Sequence, residues 1–295
     1  MKNPVAKVKS TEQVGKVTGV KIYPEGTSYE VTLPSGEKVW FPDEQLKTYH
    51  LGKAPADVEG IKKTLKFSTY SAGMPAPPPE VSWVVKVPKW PMHLNDKLGD
   101  CVPAGAAHCI EQWTFFASGT ELIVPDPAVL KAYEDVGGYR PDDPNSDNGC
   151  KMLTMVKYLV KTGIDGHKIA GFVSVNPKNL VEVFQAIQLF GNLYVGVLLP
   201  TSAQGESAWT VPDGGLNGEN APGTWGGHCV MLGAASPKTI TCVTWGELLK
   251  MSHNFFLGTC DEAYVLLSHD WVKKIGQTPS GFDFATLQKD LAQFN

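Results

Sequence analysis

The chain has no Cys-x-x-Cys pair, no run approaching the roughly 20 apolar residues of a membrane span, and no long basic stretch. Each absence excludes something. Without close cysteine pairs the usual framework of a cysteine-rich zinc site is missing, so no metal and no cofactor are expected. Without a long apolar run no spanning helix is expected. With a net charge of −4 and no basic cluster, the electrostatic footprint of a nucleic-acid partner is missing as well. The first residues, MKNPVAKVKSTEQVGK, have no apolar core of the signal-peptide kind, which predicts a cytoplasmic protein, or one that leaves the cell inside an assembly such as a virion. In that setting the six cysteines are expected to be reduced. There is no internal repeat.

What is present falls into three stretches. Residues 1–50 alternate in the manner of short strands, VGKVTGVKIYP, TSYEVTLPSG and EKVWFPDEQL, punctuated by Pro24-Glu25-Gly26 and Pro34-Ser35-Gly36. The pattern resembles a small all-β SH3-like barrel, a kind of module that docks to an assembly rather than catalyses. Residues 51–80 lose the alternation and end in SAGMPAPPPE, where Pro75, Pro77, Pro78 and Pro79 predict an extended linker. Residues 81–295 carry helical patterns at 101–116, 126–135 and 150–163, and a fourth from Asn176, with Asn176 as cap and Pro177 at the first helical position. Strand-like runs follow: LYVGVLLP, GGHCVMLGAAS, KTITCVTWG and EAYVLLSHDW. FDFATLQKDLAQF reads as a last short helix. Helices followed by an antiparallel sheet predict an α+β domain. A chain beginning near residue 80 is expected to fold by itself.

Two loops bear on function. YRPDDPNSDNGC places Asp143, Asn145 and Asp147 at alternate positions, as in a calcium loop, but Asn148 stands where glycine is required and Thr154 where the closing Glu belongs. It reads as a turn-rich connection. PTSAQGESAWTVPDGGLNGENAPGTW is long and glycine-rich, the composition of a mobile, cleft-lining excursion.

Cys101 follows Gly99 and Asp100 at the first turn of a predicted helix. Unpaired N–H groups and the positive end of the helix dipole stabilise a thiolate there. A nucleophilic thiol needs a base within hydrogen-bond reach. His108 lies on the same helix, roughly 10 Å of helical rise away, and is a packing residue by position. His228 instead heads an apolar strand after two glycines, a placement that lets the backbone approach a cleft and leaves a cleft-facing imidazole with few packed neighbours.

LGDC opening a helix, then GGHCVMLGAAS, then VTWG, in this order and spacing over about residues 88–268, resemble the papain-like cysteine peptidases. The resemblance implies a central helix starting at the nucleophile Cys101, an antiparallel sheet carrying the base His228, and an amide six residues before the cysteine, Asn95, that holds the oxyanion. It implies a peptide or protein substrate bound near Gly99, Asp100, Trp225, Gly227 and Trp245. The family usually places an Asn before its Ser-Trp pair to orient the histidine. Here that position is Val243, and Thr244 is the nearest polar candidate. An Asp-Cys pair opening a helix also resembles cell-wall peptidases of the NlpC/P60 type, although Val102 and Pro103 stand where those carry Ser-Gly.

Two functions follow as expectations. One is a thiol hydrolase of peptide or related amide bonds. The other, motivated by Val243 and the docking-type first module, is a non-catalytic structural or decoration component of a phage virion or other assembly. A cleft filled by the protein's own chain would favour the second.

Overall fold

The computed structural model describes residues 4–24, 26–71, 74 and 76–271. The helix expected near the C-terminus lies outside the described residues.

The first strands are β1 (Val5–Val8), β2 (Val14–Tyr23), β3 (Gly26–Thr32), β4 (Lys38–Pro42) and β5 (Leu46–Tyr49). They form an all-antiparallel sheet in the order β4-β3-β2-β1-β5. Ala6, Val8, Val17, Val31 and Leu46 make its small core. Its last strand feeds the chain directly into the larger unit.

Residues 51–80 depart from the extended linker expected of them. They carry helices α1 (Val58–Lys62) and α2 (Ser68–Ser71). Asp57 caps α1 by accepting the Gly60 N–H at 3.0 Å. Phe67, fully buried, packs edge-on against Phe190, and its N–H donates to the Ser174 carbonyl. Four of the segment's five prolines lie at its end, beyond the buried Phe67, and only Pro55 precedes the two helices.

Strand β6 (Val81–Ser82) precedes helices α3 (Cys101–Ser118), α4 (Asp126–Gly137) and α5 (Met152–Lys161). Strand β7 (Ile169–Ser174), helix α6 (Leu180–Phe190) and strands β8 (Leu193–Leu199), β9 (Ala208–Trp209), β10 (Gly226–Ala235), β11 (Thr239–Thr244) and β12 (Glu247–Ser252) follow. Helix α7 (His253–Thr259) and β13 (Cys260–Ser268) come last among them. The large sheet runs β7-β13-β8-β10-β11-β12-β9, with β6 pairing β10. Alternate residues of β10 face opposite sides: Val230 and Leu232 join one core, Cys229 and Met231 the other. Helix α3 covers the second face with Ala104, Ala107 and Ile110 and is buried over most of its length. Trp113 anchors it by donating to the Phe190 carbonyl at 2.9 Å.

The fourth helix starts one turn later than expected. Asn176 instead closes a turn, its side chain accepting the Lys178 N–H, and Asn179 caps the helix with Glu182 reciprocating at 2.9 Å. The glycine-rich excursion is pinned rather than loose: β9 pairs with β12, and Trp209 and Trp225 are buried. The Asp/Asn loop is also tied down. Asp147 accepts the Gly99 N–H and the Tyr133 hydroxyl, and Asp143 pairs with Arg140. No described helix is long and apolar enough to cross a membrane.

Candidate active site

Cys101 opens α3, as its position after Gly99-Asp100 predicts, and is 1% exposed. Its Sγ accepts a hydrogen bond from the Gly52 N–H at 3.3 Å. Burial pushes the thiol up to about 12, against the pull of the Cys229 and Gly52 backbone groups. The thiol is therefore neutral, not the thiolate that a helix N-terminus would otherwise favour.

His228 sits near the start of β10. Its Nε2 lies 2.6 Å from Thr244 Oγ1 on the neighbouring β11, so Thr244 occupies the orienting position next to Val243. Trp245 has a left-handed backbone, φ 46°, which turns its indole over the imidazole at 4.2 Å in a stack. Trp209 closes another side edge-on. The ring is fully buried, which corrects the expectation of a loosely packed, cleft-facing histidine, and burial holds its pKa down to about 3. Nδ1 has no partner among the described residues. No hydrogen bond joins it to Cys101.

A strap of the protein's own chain explains the burial of these groups. Leaving β5, residues His50 to Ala54 run between the two walls of the cleft. On the sheet side, the Lys53 N–H donates to the Gly227 carbonyl at 3.2 Å. On the helical side, the Cys150 N–H donates to Gly52 O at 2.9 Å and the Ala54 N–H to Cys150 O at 3.0 Å. The approach is so close that a Cβ on Gly52 would lie 1.6 Å from the Gly99 carbonyl oxygen, and one on Gly227 would lie 2.3 Å from Lys53 O. Only glycine fits at either place.

The same strap engages the other expected site residues. Asn95 donates its amide to the carbonyls of Leu98 at 3.0 Å and His50 at 3.4 Å, and Trp245 donates its indole N–H to His50 O at 3.3 Å. Trp225 stacks on Trp245 and is a packing residue of this wall. Asp100 is fully buried, neither carboxylate oxygen has a well-formed hydrogen bond, and burial holds its pKa far above the usual range. It offers no open surface to a ligand.

Lys53 locks the strap. Its side chain is fully buried, with Nζ 2.8 Å from Asp261 and 3.0 Å from Glu262 on β13. Burial pulls its amine down, but the two carboxylates outweigh it and leave the pKa raised. Sequence reasoning missed His50, Gly52 and Lys53. The one available signal was an acidic pair, Asp261-Glu262, in an otherwise apolar strand that needs a cation.

No protein-family model matches the sequence, and no curated protein does. Solved structures do match. Xylellain, a cysteine protease from Xylella fastidiosa, is 14% identical, with a TM-score of 0.55 over 74% of this chain and 95% of that one. Digestive procathepsin L 3 of Tenebrio molitor is 13% identical, with a TM-score of 0.53 over 73% of this chain and 75% of that one. The ragweed pollen allergen Amb a 11, a cysteine protease solved in its proform, is 13% identical, with a TM-score of 0.51 over 71% and 72%. The chain has the α+β fold of the papain-like cysteine proteases, preceded by an all-β sheet.

Proposed function

We propose that the chain is a latent thiol hydrolase of peptide or related amide bonds, held shut by its own segment His50–Ala54. The Gly52 N–H on Cys101 Sγ carries the reading: an extended backbone lies against the thiol and bonds to both cleft walls, as a peptide ligand does. With the strap withdrawn, Cys101 attacks the carbonyl carbon while His228 accepts the thiol proton. The tautomer in which His228 Nε2–H donates to Thr244 leaves Nδ1 as the bare nitrogen for this. The Asn95 amide and the Cys101 backbone N–H stabilise the oxyanion. His228 then gives its proton to the departing amine, and water hydrolyses the thioester, which restores the thiol.

A second reading, a non-catalytic component of an assembly, is favoured by the filling of the cleft with the protein's own chain and by the buried Lys53 ion pairs and glycine contacts, which fit the strap as a permanent part of the fold. Hydrolysis of an unfolded protein substrate separates the two. The full chain should be nearly inactive, Gly52→Ala should cleave it, and Gly52→Ala with Cys101→Ala should not. An accessible Cys101 in Gly52→Ala without any cleavage would leave the non-catalytic reading.

A further inference from the structure

Away from the cleft, α3 carries His108 and Glu111 three residues apart and therefore on one face. They meet His93, which reaches them from a backbone in the left-handed region at both His93 (φ 53°) and Leu94 (φ 67°). All three are 1–2% exposed, and one ligand atom from each lies within 4.8 Å of the others.

The hydrogen bonds among the described residues leave two acceptors of this cluster without a donor. His108 Nε2 lies 2.8 Å from the Pro91 carbonyl, which can only accept, so the ring proton is on Nε2 and Nδ1 is a bare lone pair. That Nδ1 is buried without a partner among the described residues, and so is Glu111 Oε2. Glu111 Oε1 accepts the Val124 N–H at 3.1 Å and lies 2.9 Å from His93 Nε2. With Glu111 ionised, the two orphaned acceptors cannot satisfy each other, and leaving each one dry is unfavourable. Both histidines also turn their second nitrogen to an acceptor, Pro91 O for His108 and Asp126 Oδ1 at 3.3 Å for His93. Such outer partners fix the tautomer of metal-bound imidazoles. A His-His-Glu set with a free fourth position suits zinc.

We infer that His93 Nε2, His108 Nδ1 and the Glu111 carboxylate bind one divalent transition-metal ion of the zinc class. The expectation of no metal rested on missing cysteine pairs, and this set uses none. The ion would tie the segment holding Asn95 to α3. It would enter from the neighbouring cleft of about 610 Å³, which His93 and Asp126 line. The inference is independent of whether the chain hydrolyses anything.

Cobalt(II) titrated into the chelator-treated full chain is the test. One equivalent should bind with the visible absorption of a low-coordinate nitrogen and oxygen site and no sulfur charge-transfer band, and zinc should displace it. Glu111→Gln, which keeps the acceptor for Val124, should weaken binding by roughly 100-fold or more. His108→Phe should do the same, and Cys101→Ser should leave it unchanged. Zinc should raise the melting temperature of the wild type but not of Glu111→Gln. The inference is overturned by no stoichiometric binding, in which case the gap holds water, by a sulfur-ligand spectrum, or by binding that survives both substitutions. The wild-type spectrum decides even if a variant fails to fold.

Discussion

Gly52→Ala tests the strap most directly. The added Cβ would meet the Gly99 carbonyl oxygen at 1.6 Å and its carbon at 2.2 Å, both backbone atoms that no side-chain rotation can move aside. One of the two backbones must therefore move, and displacement of the strap takes the Gly52 N–H from Cys101 and admits water. The thiol, held at about 12 by burial, should relax towards its ordinary value of 9.0. Three units raise the thiolate fraction near neutral pH about 10³-fold, since each unit is tenfold. The less basic thiolate is also less nucleophilic, with a Brønsted slope of about 0.4–0.5, which returns part of the gain. Alkylation of Cys101 should accelerate roughly 30-fold from ionisation alone, with improved access adding to it. Iodoacetamide labelling followed by peptide mapping reads this out, with Cys109 and Cys242, both 0% exposed, as internal references. Unchanged labelling of Cys101 in a folded Gly52→Ala protein would refute the strap as its cover. If His228 is the base, adding His228→Ala in that background should slow labelling again.

Further outcomes follow from the same contacts. His228→Ala in the otherwise wild-type chain should cost about 2–4 kcal/mol in denaturant unfolding, because a fully buried ring stacked on Trp245 leaves a cavity and strands the Thr244 hydroxyl. Lys53→Ala should cost about 3–5 kcal/mol by leaving Glu262 and Asp261 uncompensated, and Lys53→Ala with Glu262→Gln should recover part of it. The His228 pKa is lowered on folding, from 6.5 to about 3, so the unfolded chain binds the extra proton. The stability this represents is present above about pH 6.5 and lost as pH falls towards 3, at up to about 1.4 kcal/mol per pH unit for one proton. Urea unfolding at several pH values should show His228→Gln with a slope shallower by about that amount. A chain starting at residue 81, which lacks Phe67 and Lys53, should be less stable than one starting at residue 50. Equal melting temperatures would show that the segment is dispensable.

Local signals were enough for much of this molecule. Helix α3 was legible because Gly99-Asp100 precedes a run of small and apolar residues, and Gly119 in the left-handed conformation ends it. The strands β8, β10, β11 and β13 were legible as apolar runs between turn residues. Cys101 and His228 could be singled out by their places at a helix start and a strand start, whereas Asn95 and Thr244 are picked out only by the resemblance to papain-like peptidases. Other facts depend on which distant segments meet. Nothing in HLGKAPAD marks a strap: its backbone finds Gly227 and Cys150 far along the chain, and Lys53 finds carboxylates more than 200 residues away. The thiol at about 12 and the imidazole at about 3 likewise follow from burial, a property of the assembled interior that no spacing encodes. His93, His108 and Glu111 converge only because a left-handed turn brings the first onto the helix carrying the other two. The sequence by itself determined which groups the chain has and the elements that carry them; the tertiary structure decided which are covered, because covering is a long-range contact that local propensity does not record.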